Sequence, residues 1–417
     1  MDINTEVYQK IPALNFMRFG INPQSGFLRI KDKRVDLASY PLSPSPYMPV
    51  NMKDIFDEWD NFAHNLPEFY ESNRITNKLH MMPPLQIGVF FRKDQSEDFA
   101  MRPYRNRAFQ ILTFIASAII HPYKSSVDDS RHYLPDKISE PLLSLAGCLH
   151  REPIMSYQEY SLDNCLAANT GSSLGDFNKL GVGNFILCQK FVNSKNELGF
   201  IAPHQGMEYR ASPILVTAGA GQLNVLREDN ISLKHIMWKW SSALRDMLSQ
   251  QILMWQTCDW TEYATEVRPQ IQYFENVQYG DKGPTFKMLR GETGAQSALF
   301  KVIDTLLGVK HKRTELTNHL DEMEQYMPSS HREFISAVHL GPSVREYILK
   351  CKDSDHELVD VFNDCIVGVI KLREAHFGFM KYIPKTHSGN HQLGTGGTPI
   401  YAFLPQLIEE TKDCLTK

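Results

Sequence analysis

The residues in this sequence whose types and spacing could carry chemistry are few, and two of them are histidines. Leu358, Cys365, Val369, Leu372 and His376 follow one another at steps of seven, four, three and four. On a helix that spacing makes one apolar stripe with an imidazole at its end. Such a histidine is either a core residue bonded to a carbonyl or a neutral axial ligand for haem iron in an apolar slot. His204 stands four residues after Phe200, so ring and imidazole share a face if the segment is helical, with Pro203 in the first turn or at a kink. Arg268 precedes Pro269 at a helix end. There it is either a surface cation or, buried at a pocket wall, a planar fork for a carboxylate. Gly394-Thr395-Gly396-Gly397-Thr398 is rich in backbone donors and reads either as a linker to the last helix or as a lid over a substrate.

Other patterns carry less. Gly171-Ser172-Ser173-Leu174-Gly175 has the form of a nucleophile elbow, a motif that needs a strand before it and a helix after it. Tyr160 to Asn169 reads as helical and polar, which argues against a hydrolase. Gly219-Ala220-Gly221 follows Ile214-Leu215-Val216-Thr217, but Asn224 takes the place of the third glycine of a dinucleotide loop and no βαβ alternation surrounds it. A helix break is the simpler reading. The seven cysteines (148, 165, 188, 258, 351, 365 and 414) are odd in number, scattered and free of C-x-x-C pairs. That fits reduced thiols better than a disulfide framework or zinc site, and without C-x-x-C-H no haem is attached covalently.

The elements that must position these residues are mostly helices. Ile55, Phe56, Trp59, Phe62 and Leu66 recur at helical spacing, Arg107 to His121 is an apolar helix stopped by Pro122, and Asp136–His150 and Ser156–Ala168 are further candidates. Ser232 is a candidate N-cap for a long helix over 233–257. Helices are expected over 294–307 (ended by Gly308), 343–351 (after Pro342), 354–382 and 399–415. The fold class is therefore all-α. The 417 residues divide most simply into a small N-terminal helical domain over 1–135, with an irregular start, and a larger helical domain over 136–417. Forty-four basic against 48 acidic side chains leave a net charge of −4, which argues against a nucleic-acid protein that binds through a basic surface. No stretch approaches the roughly 18–20 apolar residues of a membrane span, and Met1-Asp2-Ile3-Asn4 opens no secretory signal. A soluble, cytoplasmic protein is expected.

Taken together, several stretches over roughly residues 105–415 resemble the indoleamine 2,3-dioxygenase family, within the superfamily that includes tryptophan 2,3-dioxygenase. They are Pro153-Ile154-Met155-Ser156-Tyr157, Glu266-Val267-Arg268-Pro269, Gly294-Ala295-Gln296-Ser297 with Asp304-Thr305-Leu306-Leu307-Gly308, Tyr326-Met327-Pro328 with His331-Arg332, Pro342-Ser343-Val344-Arg345, Leu372-Arg373 with His376, and the Gly394–Thr398 loop. The resemblance implies two helical domains with a b-type haem held mainly in the larger, C-terminal one. It also implies oxidative opening of the indole ring of L-tryptophan or a related indoleamine by O₂, giving N-formylkynurenine. His376 matches the proximal iron ligand, Arg268 the arginine for the substrate carboxylate, and Thr395 the loop threonine near the substrate ammonium. Thr293 and Gly294 match the floor of the distal pocket. Phe200 and His204 match the tryptophan dioxygenase pattern, in which the histidine bonds the indole N–H; many animal indoleamine dioxygenases carry serine there. One departure is Ala264, which stands where the family has an aromatic ring, with Tyr263 beside it as a candidate stacking partner. The alternatives are a related haem enzyme acting on another indole or aromatic amino acid, and a non-catalytic O₂-binding haem protein. The implied partners are a small-molecule substrate and O₂, with no nucleic acid or membrane, on a monomer or small homo-oligomer.

Overall fold

The computed structural model describes residues 5–31, 34–39, 52–90, 95–124, 131–167, 185–382 and 393–416. It is 68% helical with only short strands, as the all-α expectation requires. Two hydrophobic clusters organise it. One joins Pro12–Phe19 to the helices Ser212–Leu226, Asn230–Ile252, Ala298–Leu307, Ser329–Leu340 and His356–Tyr382. The other gathers Met52–His64, Gln95–Ile120 and Asp136–Leu149 around a small sheet. In that sheet Tyr133–Leu134 runs parallel to Phe274–Tyr279, which pairs antiparallel with Thr285–Leu289. A second small sheet pairs Ile30–Lys31 with Cys165–Ala167, and that strand with Phe185–Leu187. All seven cysteines are free thiols.

Local sequence explains most helix ends. Asp229, not Ser232, is the N-cap of Asn230–Ile252: its carboxylate accepts the Ser232 amide at 3.0 Å. That helix ends at Ile252, and Met254–Thr257 is a separate turn. Ser297 caps Ala298–Leu307, and Gly308, at φ +66°, closes it in the left-handed region. Gly294–Gln296 is a separate 3₁₀ turn rather than the first turn of that helix. Ser343 caps Val344–Cys351, just after Pro342.

Two expectations are corrected. Gly219 and Gly221 do not break a helix; they lie within Ser212–Leu226, and Ile214–Thr217 is helix too. A Cβ on Gly219 would come within 2.4 Å of the Leu14 amide, and one on Gly221 within 2.7 Å of the Trp240 ring. These glycines let neighbours approach. Ser156–Ala168 is likewise not one helix: Gln158–Leu162 is a π-turn, and Cys165–Ala167 is a strand. The Gly171–Gly175 motif that follows lies outside the described residues.

Candidate functional site

His376 lies on the His356–Tyr382 helix, and Leu358, Cys365, Val369 and Leu372 of its stripe are all buried. The stripe packs mainly on Asn230–Ile252, where Cys365 Sγ meets the Met237 carbonyl at 3.4 Å. His376 itself is exposed to a water-sized sphere, yet protein crowds it enough that burial, and then the nearby His204, push its imidazole down to about 4. It makes no side-chain hydrogen bond among the described residues, where no carbonyl engages the ring.

His204 faces the same region from Lys195–Arg210. The helix begins at Lys195 under a Ser194 cap, so Pro203 is interior and the i, i+4 relation to Phe200 is realised. His204 Nδ1 meets the Phe200 carbonyl at 2.8 Å. Burial lowers its pKa, against that bond. The neutral ring therefore carries its proton on Nδ1 and leaves Nε2 as an acceptor.

Aromatic rings connect the pieces. Phe200 lies 4.7 Å from His204 and stacks on Tyr263 at 4.6 Å, centroid to centroid. Tyr157 meets His204 edge-on at 6.1 Å. Tyr263 continues to Trp260 at 5.8 Å, and Trp260 to Phe379 at 5.4 Å, which returns the chain of rings to the helix of His376. Tyr263 thus stacks on Phe200, and Ala264 beside it carries no ring.

Arg268 opens the short turn Arg268–Ile271. Burial lowers its pKa, against Tyr263, Tyr273 and Tyr401. Its Nη2 donates to the Leu393 carbonyl at 2.9 Å, and no carboxylate pairs with it among the described residues. A part-buried guanidinium facing a carbonyl and tyrosines keeps most of its fork for an outside anion.

The glycine loop is closed on itself and on the wall behind it. Leu393 bridges Pro399, the Gly394 amide donates to the Thr398 carbonyl at 2.8 Å, and Gly397 takes φ +74°. The Thr395 hydroxyl donates to the Glu292 carbonyl, and Arg290 Nη1 reaches the Gly396 carbonyl at 3.3 Å. Gly291 lies where three backbones meet: a Cβ there would come within 2.3 Å of the Ile271 carbonyl oxygen and 2.5 Å of that of Thr395. Thr293 caps Gly294–Gln296, and Gly294 has open space where a Cβ would stand. The Gln296 amide holds this segment: Oε1 accepts from Tyr157 N at 3.0 Å, and Nε2 donates to the Gly291 carbonyl at 3.0 Å.

Three residues of this wall escaped the sequence reading. Tyr157 and Gln296 lie in stretches that carried the resemblance but had no role there. Glu292 is only 3% exposed, and burial alone raises its carboxyl to about 8. Its place beside Thr293 was the one available signal. A surface cleft of ≈ 680 Å³ between Tyr8–Phe19 and Ser329–Leu340 shares none of these residues. Among the described residues no group of three or more His, Cys, Asp and Glu could hold a metal ion. A single neutral imidazole on an apolar stripe, without a hydrogen-bond partner among the described residues, is the kind of donor that a metal already held in a macrocycle takes.

The family model described as "Indoleamine 2,3-dioxygenase" matches residues 16–385. Among curated proteins, the chain is 26% identical to indoleamine 2,3-dioxygenase of Saccharomyces cerevisiae, over 96% of this chain and 93% of that one. It is 25% identical to indoleamine 2,3-dioxygenase 1 of Rattus norvegicus, over 89% and 92%. It is 22% identical to 6-hydroxytryptophan 2,3-dioxygenase of Fusarium equiseti, over 90% and 94%. With the family match running nearly end to end, the chain belongs to the indoleamine 2,3-dioxygenase family of haem-dependent oxidoreductases.

Proposed function

We propose that the protein opens the indole ring of L-tryptophan or a close indoleamine, placing both atoms of O₂ across the C2=C3 bond to give N-formylkynurenine. The observation that carries this is His376 at the end of a buried apolar stripe, its ring without a hydrogen-bond partner among the described residues and close enough to His204 for that charge to be felt. Haem held through His376 would supply O₂ binding and activation; the protein's own groups orient the substrate and exclude water. Arg268 binds the carboxylate. His204 accepts the indole N–H at Nε2, its Nδ1 proton being fixed on the Phe200 carbonyl. Phe200 and Tyr263 hold the ring face, Thr293 and Gly294 form the floor, and Thr395 ties the loop to the wall through Glu292. Ala264, in place of a ring, favours a second reading in which the preferred indole is larger or more polar than tryptophan; a relative named for 6-hydroxytryptophan is in keeping with this.

The same proposal places the enzyme in the cytoplasm, as a monomer or small homo-oligomer acting on small molecules without nucleic acid or membrane. No helix among the described residues is long and apolar enough to cross a membrane. It also keeps the division at 135/136 into a small and a large helical domain, although each hydrophobic cluster draws residues from both sides of that boundary.

The test is His376→Ala. Purified wild type should show a histidine-ligated haem spectrum and, with tryptophan, reductant and O₂, form N-formylkynurenine. The variant should lose the haem or that ligation; an unchanged spectrum would sink the assignment.

A further inference from the structure

We propose that Glu208 is a positioning residue for the indole site, its carboxyl bracing the His204 helix against the pocket-floor turn through Ser297 and so setting where His204 meets the ring N–H. The inference rests on the indole dioxygenase reading and adds to it a residue that touches no substrate.

Glu208 stands four residues after His204 on Lys195–Arg210, hence on the same face one turn further along. It is 1% exposed, and its Oε1 accepts the Ser297 hydroxyl at 2.6 Å. Ser297 directly follows the floor turn Gly294–Gln296, and its Oγ also accepts the Leu299 amide at 3.2 Å, capping Ala298–Leu307. One hydroxyl thus receives the brace and starts the next helix. Tyr157 runs alongside: its ring meets His204 edge-on at 6.1 Å, and its amide donates to Gln296 Oε1 of the same turn at 3.0 Å.

The other end of the His204 helix is anchored separately. The Thr257 hydroxyl donates to the Gly199 carbonyl at 2.8 Å, and the Asp259 amide donates to Asn196 Oδ1 at 2.7 Å. From there the chain continues through Tyr263 to Arg268. His204 therefore lies between two anchors, one leading to the guanidinium assigned to the carboxylate and one to the floor at Thr293 and Gly294. Its own bond, from Nδ1 to the Phe200 carbonyl, stays within the helix. A ring tied to its own helix takes its place from whatever holds that helix. The competing reading is a tertiary contact that stabilises the fold and leaves ligand geometry alone, and the two differ in what they predict for the indole N–H. Burial pushes the Glu208 acid up to about 7, against Ser297 and Tyr157. At pH 6 it is largely neutral, and glutamine is then its near copy.

The experiment, at pH 6, compares the affinity of tryptophan with that of 3-benzofuranylalanine, in which oxygen replaces the N–H, both read as shifts of the haem absorption band. Wild type should favour tryptophan by about tenfold, the worth of one hydrogen bond. Glu208→Leu and Ser297→Ala should each cut that ratio to about twofold, and Glu208→Gln should keep it. The double variant, Glu208→Leu with Ser297→Ala, should lose no more than either change alone. A plain structural contact would weaken both ligands alike. That result, an unchanged ratio in Glu208→Leu or Ser297→Ala, or a Glu208→Gln as poor as Glu208→Leu, overturns the proposal. If Glu208→Leu fails to fold, Ser297→Ala against Glu208→Gln decides. A wild type that binds both ligands equally overturns the His204 pose and the proposal with it, whereas one without a haem band breaks the underlying reading instead.

Discussion

Arg373 and Arg268 are both drawn into the interior, and the protein equips them in opposite ways. Arg373 is given a complete partner. Its Nη2 lies 2.8 and 2.6 Å from the two oxygens of Asp304, and its Nη1 reaches Thr411 and the Leu407 carbonyl. Asp304 also meets His311 at 3.4 Å, and His311 reaches Glu410 at 2.6 Å. This network ties the His356–Tyr382 helix to Ala298–Leu307 and to the last helix, Ile400–Lys412. Arg268 has one carbonyl and three tyrosines nearby and, among the described residues, no acid. Burying a cation without its anion is costly, so on the proposed function the contrast separates a guanidinium that holds the fold from one that binds the substrate carboxylate. Proximity in sequence says nothing of this, since Arg373 lies three residues before His376.

The largest effect that could break the contrast is Arg373→Ala. It leaves Asp304 a buried carboxylate without its main partner, and should destabilise the protein by about 3–5 kcal/mol, read as a lower urea midpoint. If Arg268→Ala lowers that midpoint as much, the distinction fails. Arg268→Ala should instead lower kcat/KM for tryptophan by roughly 10- to 150-fold, the worth of a charged hydrogen-bonded pair of about 1.5–3 kcal/mol. Its haem spectrum and midpoint should remain close to wild type. Arg268→Lys sharpens the point: charge survives but the planar fork does not, so recovery of about tenfold at most over Arg268→Ala is expected in steady-state kinetics.

The smallest effect is a pH dependence of the Arg373 network. Burial opposes charge on His311, but Asp304 and Glu410 more than offset it, and the folded pKa is raised above the ordinary 6.5. Its contribution is therefore fully present below the unfolded value and is lost as pH rises through the folded one. Asp304 acts in the other direction. Burial raises its pKa, but Arg373 and His311 lower it further, so its contribution holds above the unfolded value and is lost as pH falls through the folded one. Thermal melts from pH 6 to 9 should show a mild alkaline loss that His311→Gln flattens. An equal slope in the variant would assign the effect elsewhere.

Much of this was legible because helices turn spacing into geometry. The stripe ending at His376 and the pairing of Phe200 with His204 both follow from a period of 3.6 residues. The failures have their own physical causes. Gly219 and Gly221 read as a break because local propensity disfavours them, whereas close approach to Leu14 and Trp240, visible only in the folded chain, keeps them in a helix. The strand Cys165–Ala167 depends on partners over a hundred residues away at Ile30–Lys31 and further along the chain at Phe185–Leu187, beyond the reach of any short window. Glu292 was illegible for a third reason. Its burial is a property of surroundings, and its neighbours in sequence mark it only as an acid near a glycine turn.

Gly291 bears on how such a site can change over evolutionary time. The walls that converge there, from Ile271, Gln272 and Thr395, touch through main-chain atoms, so the frame of the pocket does not depend on which side chains line it. A lineage can exchange a ring for Ala264, or place an acid at Glu292, without dismantling the enclosure. One position pays for that latitude: any replacement of Gly291 strikes two walls together, and substrate range could drift widely around a site that itself cannot.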